Sequence, residues 1–300
     1  MTQGRNPVYK RGVATRFQFT TLTPTNAMDL PYFQVDAFTS RLFSGNPAGV
    51  CLLEAWLPEG TLQAIAAENN QAETAFVVTG PEGFELRWFT PTVEVELCGH
   101  ATLAAAHVLF RHRGLEGDEV RFKTKSGDLG VGRHGEVLSL DFPVRPATAC
   151  DVPAALVNGL GKFPALTARS SRDYLAVYDT EEEVRALKPD FAELSRLDTL
   201  GVIATARGMD CDFVSRFFAP NAGVNEDPVT GSAHCTLAPY WSAEIGRHEL
   251  TARQVSARGG ELSCMLRDDR VIIAGRAKTY LTGTIHLAAA HRAWLSGENA

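Results

Sequence analysis

The hydrophobic positions of this chain change period several times, and each change marks an element. Residues 28–38, MDLPYFQVDAF, begin an extended apolar pattern that predicts a strand. In residues 61–71, Leu62, Ile65 and Ala66 fall on one face at helical spacing, an amphipathic helix. RWFTP (87–91) and RFFAP (216–220) end runs rich in aromatic and β-branched residues, and they read as strand ends. Residues 101–110, ATLAAAHVLF, hold no Asp, Glu, Lys or Arg; a helix apolar on all sides is a buried one. SAHCTLAPYW (232–241) has a similar composition, with Pro239 expected to end or kink it. Hairpin patterns follow each helix. RFKTKSG, DLGVGRHG and EVLSLDFP are separated by Gly-Asp and His-Gly turns, and QVSARGG, ELSCMLRDD and RVIIAGR echo them. Residues 181–187 read as an exposed charged helix.

These elements come in two sets. After RWFTP and after RFFAP comes an acidic loop, then Gly99-His100-Ala101 in one case and Gly231-Ser232-Ala233 in the other. Gly127-Asp128-Leu129 follows 28 residues after Gly99, and Gly260-Glu261-Leu262 follows 29 residues after Gly231. A repeat period of about 130 residues is too long for a solenoid unit, so each copy is a whole half of the molecule. The pattern predicts an α+β chain of two pseudo-two-fold-related halves, residues 28–146 and 147–300, each a curved sheet wrapped round a buried helix. In this scheme the C-terminal strands pack back on the first half.

Composition narrows the class. The chain has 300 residues, 45% of them hydrophobic, enough for sizeable cores without disulfide staples. The net charge of −6 argues against a nucleic-acid partner. No run of 18 apolar residues is present, so no membrane-spanning helix is expected. The six cysteines show no CxxC spacing and read as scattered thiols of a cytoplasmic protein. Residues 1–27 hold Arg5, Lys10, Arg11 and Arg16 and no acid. They read as a disordered extension, with Met28 as the functional start. The histidines show no metal-ligand spacing with cysteine or carboxylate, and no nucleotide-binding motif is present, so neither a metal nor a cofactor is expected.

Two buried helices that start at glycine-bearing loops offer unsatisfied N–H groups and positive dipole ends, which suit a carboxylate held between the halves. Gly99 and Gly231 could equally serve only as tight-turn residues.

Several segments resemble one family. GNPAGVCLLE (45–54), ETAF (73–76), RWFTP, LCGHAT (97–102), RFFAP, EDPVTGSAH (226–234) and QVSARGGEL (254–262) are similar to the PhzF-like, phenazine-biosynthesis isomerases, over nearly all of the chain from residue 28. The resemblance implies the diaminopimelate-epimerase fold, a homodimer and a cofactor-independent proton transfer on a small carboxylate-bearing substrate. It implies Glu73 as the general acid/base, although Ala72 replaces the serine that precedes that glutamate in the family. It also places His100 and Asp227 at the cleft, and gives the substrate carboxylate to the backbone of Gly99, Gly231 and Ser232. A Glu in an apolar cleft should have a raised pKa, and a His at a helix N-terminus a depressed one. Read without the resemblance, Glu73 is a surface carboxylate at a helix end, His100 a helix-capping histidine, Asp227 a helix N-cap and Asn46 an ordinary turn residue. Two-thiol racemases of this fold carry a cysteine before each helix. Cys98 fills the first place and Pro228 or Val229 the second, so an amino-acid epimerase is disfavoured and Cys98 reads as a buried structural thiol. A non-catalytic binding protein on the same fold is the remaining alternative.

Overall fold

A computed structural model describes residues 28–80 and 83–287; the extension expected at residues 1–27 lies outside them. The first half runs β1 (Met28–Ala37), β2 (Asn46–Leu53), α1 (Glu59–Asn69), β3 (Glu73–Gly80), β4 (Gly83–Phe89), β5 (Glu94–Val95), α2 (Gly99–His112), β6 (Glu119–Thr124), β7 (Gly127–His134) and β8 (Val137–Pro143). Next come β9 (Thr148–Ala149), α3 (Ala154–Leu160), β10 (Leu166–Arg169), β11 (Asp173–Val177), α4 (Glu181–Ala186), α5 (Phe191–Leu194), β12 (Gly201–Arg207) and β13 (Phe213–Ala219). The chain ends with β14 (Val224–Asp227), a 3-10 turn (Gly231–Ala233), α6 (His234–Ile245), β15 (Glu249–Gln254), β16 (Gly260–Arg267), β17 (Arg270–Gly275) and β18 (Ala277–Leu287).

The repeat read from the sequence is a repeat of strand pairing. In the first half β2 and β3 are parallel, β3 and β4 antiparallel, and β4 and β6 parallel. In the second half β11, β12, β13 and β15 pair in the same senses. Parallel neighbours need crossovers, and helices supply them: α1 and α2 in one half, α4, α5 and α6 in the other. The hairpins β6–β7–β8 and β15–β16–β17 complete each sheet.

The two sheets are not separate. β8 pairs antiparallel with β17, Phe142 opposite Val271. The edge strands are also exchanged. β9, which follows β8, lies against β10, and β18, which follows β17, lies against β1 along its whole length. Local patterning carries no trace of the β8–β17 pairing, which joins the two sheets across all the chain between Pro143 and Arg270 and so escapes a reading made half by half.

The central helices are buried as expected. Every residue of α2 from His100 to Ala106 is buried, and Leu103 and Leu237 of α6 share one apolar cluster. Two local readings need correction, and the reading of Pro239 is narrowed. Pro239 does not end α6, which runs on to Ile245. The carbonyl that loses its helical partner there, Cys235 O, accepts instead from the Arg145 N–H at 2.8 Å. QVSARGG supplies only the end of β15; from Val255 to Gly259 the chain turns back. In α4, Glu181 is buried rather than exposed, because its carboxylate holds Arg185 and the Met209 N–H.

Among the described residues, no helix is long and apolar enough to cross a membrane.

Candidate active site

A cleft of about 570 Å³ is lined by all the residues singled out from the sequence: Glu73, Gly99, His100, Asp227, Gly231 and Ser232. Each arrives by a distinct local rule. Glu73 is the first residue of β3, where the chain leaves α1 through Asn70 in the left-handed conformation. Gly99 is the first residue of α2, and Gly231 opens the 3-10 turn that leads into α6.

Glu73 and His100 form a pair. Glu73 Oε2 lies 3.1 Å from His100 Nε2, and the two side chains are 19% and 7% exposed. The other ring nitrogen, Nδ1, lies 3.5 Å from Cys98 Sγ. Burial pushes the Glu73 pKa up, but the facing His100 charge and hydrogen bond outweigh it, and the carboxyl sits below its ordinary value. Burial pushes His100 down, yet Cys98 and Glu73 raise it well above the ordinary imidazole range. Burial lifts the Cys98 thiol pKa, and the Glu73 charge lifts it further, so the thiol stays neutral and Glu73 is the counter-ion. Both sequence expectations are thus reversed. Burial and the helix dipole were weighed on single groups, whereas the fold supplies a close opposite charge. A doubly protonated ring faces Glu73 with Nε2 as an ion pair and presents Nδ1–H to Cys98.

Asp227 faces this pair from the second half. It ends β14 and caps no helix; Thr230 occupies the cap position of the following 3-10 turn. Asp227 Oδ1 accepts from Asn46 Nδ2 at 2.8 Å, and Oδ2 from Thr230 Oγ1 at 2.5 Å. Burial pushes its pKa up to about 6 against the opposing influence of His100 and Thr230. Gln254 locks the loop, donating to Asp227 O at 2.6 Å and accepting from the Thr230 N–H at 2.8 Å.

Asn46, an ordinary turn residue on local reading, is fully buried and joins the two halves. Its Nδ2 donates to Asp227 Oδ1 and to Val229 O, and lies 3.3 Å from His100 Nδ1. Gly45 puts it there. Gly45 has φ 72°, and a Cβ on it would strike Ala37 O. Its N–H donates to Gly259 O at 2.6 Å across the halves. The signal in the sequence was Gly-Asn directly before an apolar run, which is also how many plain turns look.

The arginines of the repeated motifs are structural. Arg87 forks Glu94 from Nε and Nη2, each at 2.7 Å, and lies over Phe89; Arg216 forks Glu226 at 2.7 and 2.8 Å and lies over Phe218. Holding Glu226 outward fixes the strand that turns Asp227 inward. The same alignment corrects the cysteine argument. The counterpart of Cys98 is the residue before Gly231, which is Thr230, not Pro228 or Val229. The counterpart of Glu73 at the start of β12 is Gly201. The site is therefore one-sided, with its titrating side chains on the first half's wall and Asp227 reaching in.

Glu73, Cys98 and His100 also bring three possible metal-ligand atoms within 4.8 Å of one another, a cluster that sequence spacing did not announce. The two ring nitrogens of His100 already face different partners, Glu73 and Cys98. A single ion would have to displace protons from both the thiol and the imidazolium. The donor set therefore suits a proton chain better than a metal.

Comparisons with known proteins agree with this architecture. A family model described as phenazine biosynthesis-like protein, PhzC-PhzF, matches residues 35–283. An uncharacterized isomerase of Pseudomonas aeruginosa is 52% identical over 260 residues, 87% of this chain and 100% of its own. A crystal structure of a PhzF-family phenazine biosynthesis protein from Enterococcus faecalis superposes with a TM-score of 0.85 at 45% identity, covering 87% of this chain and 100% of that one. A hydroxyproline epimerase from Agrobacterium vitis shares the fold alone, with a TM-score of 0.55 at 12% identity over 86% of this chain and 93% of its own. Two similar halves closing on a cleft, and these matches along nearly the whole described chain, lead to one assignment: the chain belongs to the PhzF, or phenazine biosynthesis-like, family.

Proposed function

We propose that this protein is an isomerase that moves a proton between two positions of a small carboxylate-bearing substrate, with Glu73 as the acid/base. The observation that carries the reading is the Glu73–His100 pair on the cleft wall, 3.1 Å apart, with Asp227 tied to the same site through Asn46. Glu73 rests as a carboxylate because His100 is charged beside it. In the proposed reaction it takes a proton from a substrate carbon. The carboxyl then formed gives that proton back at a second carbon. Closed from bulk water, this shuttle needs its base within hydrogen-bond reach of both carbons, which one carboxylate with two oxygens can offer.

His100 stabilises the negative charge that passes from Glu73 to the substrate while the proton is off the carbon. Asp227 acts on the charged His100 electrostatically and can receive a substrate amine. The N–H groups of Gly99, Gly231 and Ser232 at the two helix starts receive the substrate carboxylate. Each role falls to a side chain or backbone group of the chain itself, which supports chemistry without a cofactor. Relatives named isomerases support the reaction class. Thr230 in the place that corresponds to Cys98 argues against a two-thiol epimerase with one cysteine from each half.

The test is deuterium incorporation. The protein is incubated in D2O with dihydro-hydroxyanthranilate and a panel of small amino and cyclic carboxylic acids, and each is followed by mass spectrometry. Incorporation by wild type and its loss in Glu73→Gln is the expected result. Exchange that survives in the variant would remove Glu73 as the base. Light scattering on the same preparation tests the homodimer that we propose with it.

A further inference from the structure

Arg172 is the one lysine or arginine among the described residues that line the cleft. It lies in the turn between β10 and β11. In the pseudo-two-fold alignment Asp173 corresponds to Ala48, so Arg172 corresponds to Pro47, beside Asn46. The second half thus presents a cation where the first half presents the turn that carries Asn46. The backbone here is pinned: Arg172 O accepts from the Leu200 N–H at 3.0 Å and from Thr199 Oγ1 at 2.7 Å. The side chain is not. Among the described residues its guanidinium makes no hydrogen bond and no ion pair, although it is partly buried.

Its surroundings do not neutralise it. Asp173 is fully buried and acts on it only electrostatically. Burial holds the Asp173 carboxyl pKa above its ordinary value, against the pull of Arg172 and Arg145. Arg145 stands nearby, anchored by its N–H on the carbonyl that Pro239 frees, with Nη1 3.5 Å from Ser232 O. Two arginines therefore stand near one another, Arg172 on the cleft lining and Arg145 against Ser232 O. A partly desolvated guanidinium with five unused donors is costly unless something fills them, and a carboxylate matches its fork. Without such a cation, a second carboxylate entering beside Glu73 and Asp227 would meet like charge.

We propose that Arg172 determines the specificity of the cleft, adding a charge-assisted fork to the Gly99, Gly231 and Ser232 N–H groups that receive the substrate carboxylate, so that the site selects small acids over their neutral amides. The inference deepens the proton-transfer reading and rests on it for the identity of the cleft. Arg145 is a positioning residue that keeps the potential positive there.

The experiment measures binding and exchange separately. Titration calorimetry follows anthranilate and cyclohex-1-ene carboxylate against the corresponding carboxamides, with wild type, Arg172→Gln and Arg172→Lys. Thermal melts confirm that the variants fold. Wild type should prefer the acids by about 10- to 100-fold, the range of a charged hydrogen-bonded contact. Arg172→Gln should erase the preference, and Arg172→Lys should keep part of it. An acid preference that is unchanged in a folded Arg172→Gln protein overturns the proposal, as does failure of both acids to bind wild type. Deuterium exchange by the same proteins with dihydro-hydroxyanthranilate and the panel of acids above distinguishes the two readings. Arg172-dependent acid binding without exchange would leave the carboxylate seat and remove the isomerase.

Discussion

Replacing Glu73 by Gln keeps the shape of the side chain and one acceptor for His100 Nε2–H, and removes only the charge. His100 is then a nearly fully buried imidazolium whose counter-ion, 3.1 Å away, has gone. Its folded pKa is raised above 6.5 in the wild-type chain, so the pair's contribution through His100 is fully present below pH 6.5 and fades as pH rises through the raised value. Glu73 works in the other direction. Its lowered pKa contributes stability above pH 4.5, lost as pH falls through the folded value. The two windows overlap across neutral pH. Breaking a buried pair by removing one partner costs about 3–5 kcal/mol. Gln retains a hydrogen bond and Glu73 is 19% exposed, so we expect about 1–3 kcal/mol near pH 7. The assay is an NMR titration of the His100 ring together with urea unfolding at several pH values. His100 should titrate above 6.5 in wild type and below it in Glu73→Gln. A wild-type His100 that titrates at or below 6.5, or a variant that leaves it unmoved, would refute the reasoning.

Asp227→Asn tests the opposite sign. Asp227 rises from 3.8 to about 6 on folding, so its ionisation destabilises the fold progressively from pH 4 to above pH 6. The neutral variant should be more stable than wild type at pH 8 by about 2–3 kcal/mol while losing exchange activity, as read by paired melts and D2O assays. Asn46→Ala should cost about 2–4 kcal/mol in urea unfolding, because it strips the donor from Asp227 Oδ1 and Val229 O at once. In Gly260→Ala the new methyl would strike Val229 Cγ2 and stand 3.0 Å from Phe38 O. Overpacking of about 1–3 kcal/mol, together with a displaced Val229 carbonyl, should lower both melting temperature and exchange rate.

The parts of this molecule that local sequence can encode were legible. Apolar runs located α2 and α6, and the RWFTP and RFFAP echo located the halves, because burial and turn chemistry act within a few residues. What escaped was what needs distance. Asn46 and Asp227 are 181 residues apart, and neither neighbourhood announces the other. The pKa directions of Glu73 and His100 were misread for the same reason: a single-residue argument sees burial and dipole but not the facing charge. Cys98 was set aside as a packing residue, whereas its sulfur closes the chain from Glu73 through both nitrogens of His100. Arg172 carried no motif, and only the folded cleft brings it to the site.

The exchange of edge strands has a consequence for synthesis. β1 is the first described element to leave the ribosome, yet its partner β18 ends at Leu287, paired with Met28. At about 5–20 residues per second, the first half waits roughly 7–30 s after β8 emerges before that partner exists. Throughout that interval one edge of β1 is open and the β8 edge has no β17 beside it. The first half is thus held as a nascent, unfinished sheet. The cleft it shares with Asp227 closes only after the second half has been made, so the order of synthesis delays the site by topology.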